Sequence, residues 1–282
     1  MMAWRDQLVT GDSRHMAAVP DESVCLVVTS PPYNINLAYD VADDNKALPE
    51  YLAGLRQVWA ECWRVLRPGG RLCINVANCY RDPFLWMPHL VAGTVAPAGD
   101  FLMRGEIIWN KSASVSESTA WGSWLQPSNP TLRDVHESIT VYSKGQYQLL
   151  PLPGMGDSDL TKEEFTSWTK SVWDFQSQRR GPYSGPRLPQ HPAPFPVELP
   201  RRLIKLYTFP GACIVDPFSG SGTTAVAAKL LGRSYVGYDV SAAYNQQAEA
   251  RLAATVREED RPILRALKAK QQRLPLGRGG AA

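Results

Sequence analysis

Residues 213–239 read as strand, glycine-rich turn, helix and strand, and few folds accommodate that order. Cys213–Asp216 is a short apolar run that enters Asp216-Pro217-Phe218-Ser219-Gly220-Ser221-Gly222-Thr223-Thr224. Thr223 to Leu231 follows as a helix that Gly232 can close, and Ser234 to Tyr238 is a second strand ending at Asp239. Two strands joined through a helix lie parallel in one sheet, with the helix covering a face. Gly220 and Gly222 let the backbone approach a ligand closely. In nucleotide-binding sheets an acidic residue about 20 positions beyond such a loop grips a ribose hydroxyl, and Asp239 stands there. The third glycine of the dinucleotide fingerprint is replaced by Thr223-Thr224, and the lysine of a phosphate loop is absent, so neither of those readings is favoured.

A second strand–helix–strand unit precedes it. Val24 to Thr29 is an apolar, mostly β-branched strand that stops at Ser30-Pro31-Pro32. Leu48, Leu52, Leu55, Trp59, Cys62 and Leu66 share one helix face, Arg67-Pro68-Gly69-Gly70 stops that helix and turns the chain, and Arg71 to Val76 is the next strand. Arg104–Trp109 and His136–Tyr142 read as two more strands around a long loop, 110–131, that carries Trp121 and Trp124. Periodicity is poor from Gly145 to Leu188, and seven prolines between Gly181 and Pro200 argue for extended chain. Trp168 and Trp173 in that stretch can pack or stack on a base, and local core is the favoured reading because large aromatics bury much area.

Ser30-Pro31-Pro32-Tyr33 ends its strand with groups suited to an amino group on a planar base. Such an amine is a poor nucleophile because its lone pair is delocalised into the ring. Ser30 offers a side-chain oxygen and Pro31 a backbone carbonyl whose direction the two prolines fix. Accepting both N–H groups aims the lone pair outward, and Tyr33 can stack on a base lifted from a duplex. A cysteine nucleophile directly after proline would serve methylation at carbon 5 of cytosine, and none of the five cysteines follows a proline.

Bulk properties narrow the class. Hydrophobic residues make up 44 % of the 282, enough for a sizeable core. The net charge of +3 conceals a tail in which Arg261, Arg265, Lys268, Lys270, Arg273 and Arg278 face no acidic residue, a segment able to touch phosphates. The cysteines form no C-x-x-C pair and the histidines are scattered, so no metal site or disulfide framework is expected. No apolar stretch reaches membrane-spanning length and residues 1–10 lack a signal-like core, which together point to the cytoplasm.

With these residues the sequence resembles the amino-methyltransferases of DNA in their beta arrangement, where the catalytic half precedes the cofactor half. The resemblance spans roughly Gly11 to Glu249. It implies a Rossmann-like α/β fold of seven mostly parallel strands with one antiparallel hairpin, helices on both faces and a circularly permuted motif order. It implies S-adenosyl-L-methionine as cofactor, double-stranded DNA as substrate, action either alone or paired with a cognate restriction endonuclease, and the homodimer that members of this arrangement often form. Ser30, Pro31, Pro32 and Tyr33 take the catalytic role. Asp12 in Gly11-Asp12-Ser13 and Phe218 flank the cofactor adenine. Asp216, Pro217, Gly220, Gly222, Thr223, Thr224 and Asp239 form the rest of the cofactor site, and the segment with His191 and Pro192 closes over the methionine part. The division is then 1–144 catalytic half, 145–188 target-recognition insertion, 189–250 cofactor half and 251–282 basic tail. Lys170, Arg179, Arg180 and Arg187 of the insertion are the DNA-contacting cations. Ser30, where many adenine-modifying members carry Asp, leans the target to N4 of cytosine, with N6 of adenine the alternative. An oxidoreductase, a DNA-binding protein acting through the basic tail, and RNA or protein amine methylation are the competing readings.

Overall fold

A computed structural model of the chain describes residues 3–35, 41, 44–78, 84–111, 121–176 and 195–260. His191, Pro192, Arg179, Arg180, Arg187, Cys79 and the cations of the tail from Arg261 onward lie outside the described residues.

Among the described residues, eight strands form one sheet: β1 (Gln7–Thr10), β2 (Val24–Thr29), β3 (Leu66–Ala77), β4 (Phe101–Asn110), β5 (His136–Lys144), β6 (Val172–Asp174), β7 (Cys213–Asp216) and β8 (Ser234–Asp239). Their spatial order is β1-β8-β7-β2-β3-β5-β4-β6, one more strand than the seven expected. β5 runs antiparallel to β3 and β4, and every other neighbouring pair is parallel. The expected hairpin is therefore β4–β5. The short outer strands β1 and β6 were not evident in the sequence.

The central strands alternate sides, as period-two geometry requires. Val27 of β2, Leu72, Ile74 and Val76 of β3, and Val215 of β7 face one core with α1 (Leu48–Val65) and α2 (Met87–Gly93). Leu26 and Val28 of β2, Cys73 of β3 and Ile214 of β7 face the other, with α4 (Glu198–Tyr207), α5 (Thr223–Leu230) and Leu252 of α6 (Ala242–Ala253). A further helix, α3 (Lys162–Trp168), leads into β6. Leu55, Trp59 and Cys62 are buried on α1 as their spacing predicts, but Tyr51 and Val58 complete that face.

Arg67-Pro68-Gly69-Gly70 does not lie outside the elements as a turn. α1 ends at Val65, Leu66 is already extended, and the four residues belong to β3. They are absorbed as an irregularity in which the β2 register moves from Val24↔Leu66 to Leu26↔Arg71. Trp168 and Trp173 are core residues, 7 % and 1 % exposed. Among the described residues no helix is long and apolar enough to cross a membrane.

Candidate active site

The carboxyl ends of β1, β2, β7 and β8 lie side by side, and the chain leaving each of them walls one cleft of about 480 Å³. Asp12 follows β1, Ser30 to Tyr33 follow β2, Pro217 and Phe218 follow β7, and Asp239 ends β8. Motifs distant in sequence are thus brought onto one wall. A ligand crevice at this edge is what an open parallel sheet provides, because neighbouring strand ends splay there.

On the β2 side, Ser30 Oγ and the Tyr33 hydroxyl are hydrogen-bonded at 3.1 Å. Tyr33 is only 7 % exposed, so its ring is largely packed into the core while still contributing to the cleft wall. The loop beyond is braced by Tyr51, Asp44 and Asn34. The Tyr51 hydroxyl donates to the Pro32 carbonyl at 2.7 Å. Asn34 takes a left-handed backbone, φ 56°, which asparagine tolerates better than most residues. The buried Asp44 carboxylate accepts the backbone N–H groups of Asn34 and Ile35 at 2.8 and 3.1 Å. The Asn34 side chain in turn exchanges two hydrogen bonds with the backbone of Lys46. These contacts join positions too far apart for periodicity to reveal; only the helical phase of Tyr51, four residues before Leu55, was a usable signal.

On the β7 side, Asp216 is buried beneath the cleft. Its Oδ1 accepts from Thr29 Oγ1 at 2.7 Å and from the Phe218 N–H at 3.1 Å, and its Oδ2 accepts from Thr224 Oγ1 at 2.7 Å. Burial pushes its carboxyl up to about 6, against the opposing pull of the bonds from Thr224, Thr29 and Phe218. Asp216, Gly220, Gly222, Thr223 and Thr224 do not line the cleft; they form the scaffold under the residues that do. Gly222 caps α5 at φ 75°, and a Cβ there would come within 2.6 Å of the Ala248 Cβ, so α6 packs directly against this loop.

Asp239 holds the loop from the other side. Its Oδ2 accepts the Gly220 N–H at 2.9 Å and its Oδ1 the Ser241 N–H at 2.8 Å, which orients the carboxylate toward the cleft it lines. Asp12 accepts the backbone and guanidinium N–H groups of Arg14, and that bond, outweighing partial burial, holds its carboxyl below the usual range. Phe218 stands edge-on to Trp59 with centroids 6.3 Å apart.

Arg251 is a further residue that the sequence did not disclose. It is 7 % exposed, and its Nη1 donates to the carbonyl of Ser221, to Ser221 Oγ at 3.0 Å and to Thr223 Oγ1 at 3.2 Å. Its Nε and Nη2 have no partner among the described residues, and burial lowers its pKa. On α6, Tyr244 lines the cleft, and Ala248 and Arg251, four and seven positions on, support the loop beneath it.

Lys170 is exposed at the amino end of β6 and does not line the cleft. Four cysteines are buried, and burial pushes the Cys73 and Cys213 thiols up to about 12, which leaves them unsuited to nucleophilic work. No cluster of metal-ligating side chains occurs among the described residues.

Residues 24–250 match the family model for DNA methylases of the N6/N4 type. The type II methyltransferase M.MjaI of Methanocaldococcus jannaschii is 30 % identical over 267 residues, covering 83 % of this chain and 86 % of its own. The crystal structure of TTHA0409 from Thermus thermophilus, assigned as a DNA modification methylase and complexed with S-adenosyl-L-methionine, superposes with a TM-score of 0.68. It shares 31 % identity and covers 89 % of this chain and 94 % of that one. The PvuII DNA methyltransferase, described as cytosine-N4-specific, shares the fold with a TM-score of 0.68 at 21 % identity, covering 87 % and 85 % of the two chains.

Proposed function

The chain belongs to the N6/N4 family of DNA methylases, and on that premise we propose that it methylates N4 of cytosine in double-stranded DNA, with the catalytic half preceding the cofactor half. The observation that carries the reading is the meeting of Ser30–Tyr33 and Pro217–Phe218 on one cleft.

The cofactor is S-adenosyl-L-methionine, and the cleft suits it in chemistry. Asp239 presents an oriented carboxylate to a ribose, Asp12 an acceptor to an adenine amine, and Phe218 and Pro217 apolar surface to a ring. Bound there, the cofactor supplies an electrophilic methyl group on sulfur. The protein's part is to position the amine. Ser30 Oγ has one proton and two acceptor positions. When its proton is directed to the Tyr33 hydroxyl, Oγ accepts an N–H of the target, so amine, Ser30 and Tyr33 form a chain of hydrogen bonds that polarise one another. Tyr51 already engages the Pro32 carbonyl, and the second amine N–H is assigned to the carbonyl of Pro31. Stacking by Tyr33 requires its ring face to be bared as the base enters.

The preference for cytosine rests on Ser30: a hydroxyl accepts an amine hydrogen bond less strongly than the carboxylate that many adenine-modifying members carry. Residues 145–188 are assigned to target recognition, with Arg179, Arg180 and Arg187 as contacts to phosphates or guanine edges. A cognate restriction endonuclease and a homodimer are the partners this assignment implies.

The test is to incubate the protein with amplified, unmodified DNA and S-adenosyl-L-methionine, digest to nucleosides and identify the product by mass spectrometry. N4-methylcytosine is expected. N6-methyladenine would keep the family and overturn the base. Absence of any modified base across varied DNA would overturn the activity.

A further inference from the structure

The carboxyl edge that carries the cleft also carries a closed turn on the β4–β5 connection. β5 begins there, because Glu137 pairs with Ala77 at the end of β3, and β4 ends there at Asn110. Residues 121–133 fold back on themselves: the Ser123 N–H donates to the Asn129 carbonyl at 2.9 Å, the Thr131 N–H to the Trp121 carbonyl at 3.0 Å, and Ser123 Oγ to the Gln126 carbonyl at 2.6 Å. Gly122 permits the closure, since a Cβ there would lie 2.3 Å from the Asn129 carbonyl oxygen.

This well-tied turn presents apolar side chains to water. Trp124 is 60 % and Leu125 81 % exposed. Leu125 also holds a left-handed backbone, φ 56°, a conformation in which leucine is strained. Trp121 packs edge-on against Trp124 with centroids 5.1 Å apart, and the Arg133 guanidinium lies 3.7 Å over the Trp121 ring. An aromatic pair backed by a cation, with an aliphatic tip, has the composition of a wedge that enters a base stack beside a phosphate backbone.

Position selects the occupant. β5 is two strands from β2, so the turn leaves the sheet roughly 10 Å from the catalytic strand at about 4.8 Å per strand. We propose that residues 121–133 form a prong that inserts Trp124 and Leu125 into duplex DNA beside the target, offsetting part of the cost of lifting the target base from the stack. The inference rests on the DNA-methylating reading of the cleft.

The experiment uses the full chain and a duplex carrying the recognition site found by mapping methylated DNA. It compares wild type, a Trp124→Ala/Leu125→Ala variant and Leu125→Gly. The double variant is expected to raise KM for matched duplex at least about ten-fold while leaving cofactor affinity unchanged. Most of that loss should disappear on a duplex mismatched at the target, where unstacking costs less. Leu125→Gly should melt no lower than wild type, because glycine accepts the left-handed backbone, and should still weaken DNA use. Unchanged KM for DNA, or an equal loss on matched and mismatched duplexes, overturns the wedge. So does a change of oligomeric state on sedimentation with DNA affinity intact, which would make the turn a contact between copies. A wild-type chain that methylates no DNA overturns the underlying reading and the prong with it, and is told apart by that control alone.

Discussion

Ser30 and Tyr33 share a hydrogen bond, so their substitutions separate two roles. Ser30→Ala removes the proposed acceptor for the amine, and turnover should fall about ten- to a hundred-fold, as loss of a buried hydrogen-bond partner costs about 1–3 kcal/mol. Tyr33→Phe keeps the ring and loses only the far end of the chain, so turnover should fall about five-fold, near 1 kcal/mol. Neither should alter cofactor affinity measured by titration calorimetry. A Tyr33→Phe enzyme as impaired as Ser30→Ala would show that the hydroxyl, not Ser30, meets the substrate. Arg251 makes a different prediction, because its bonds reach Ser221 and Thr223 rather than the cleft. Arg251→Met should weaken cofactor binding about ten-fold, and Arg251→Lys, which retains a donor, should recover part of it. A folded Arg251→Met protein with wild-type cofactor affinity would remove Arg251 from loop positioning.

At the scale of elements, the segment before Gln176 is fastened to α4 and to Arg233, just before β8. Arg233, whose side chain is fully buried, pairs with Asp159 through both carboxylate oxygens, at 2.5 and 2.8 Å, while Lys205 and Arg201 pair with Glu164 on α3. Burial tends to raise the Asp159 carboxyl, but Arg233 beside it holds the carboxyl below its usual range. Asp159→Asn would leave a buried guanidinium without its charge partner. Removing one member of a buried pair costs about 3–5 kcal/mol, which the 35 % exposure of Asp159 reduces to about 1–3 kcal/mol. Thermal denaturation should show the loss, and an unchanged melting temperature would mean that water replaces the carboxylate. These same elements mark the limit of what the sequence disclosed. β2, β7, β8 and α5 were legible because their apolar runs end at proline, glycine or aspartate. α3 carried a readable signal, the reciprocal cap of Thr161 and Glu164, that the poor periodicity around it obscured. β1 and β6, with four and three residues, are too short to show alternation and become strands only because a neighbour pairs with them. Asp44 and Arg251 serve the site through contacts across the fold, which spacing does not reveal, and the helical phase of Tyr51 marks its burial but not its bond to Pro32.

Across the whole molecule, Asp216 is the carboxylate on which β2 and the chain leaving β7 meet: Thr29 reaches it from β2, Phe218 from the turn after β7, and Thr224 from α5. Its pKa, pushed up to about 6 from 3.8 by burial, gives the stability of the fold a signature. Between those values the folded chain keeps a proton that the unfolded chain has released. Stability contributed by Asp216 therefore falls as pH rises through the window, by on the order of 3 kcal/mol in total, and is flat above it. Asp12, Glu61, Asp159 and Glu164 have depressed values and act with the opposite sign, losing stability as pH falls through their folded pKa values. Asp216→Asn isolates the first effect. The amide oxygen can still accept from Thr29 and Phe218, and its nitrogen can donate to Thr224 Oγ1, which can redirect its own proton to the Val28 carbonyl 3.4 Å away. Urea unfolding of both proteins from pH 4 to 7 should give a stability difference that moves against wild type as pH rises to about 6 and then holds constant. A difference independent of pH would mean that Asp216 stays ionised throughout, and that its hydrogen bonds from Thr29, Thr224 and Phe218 outweigh the cost of burying its charge.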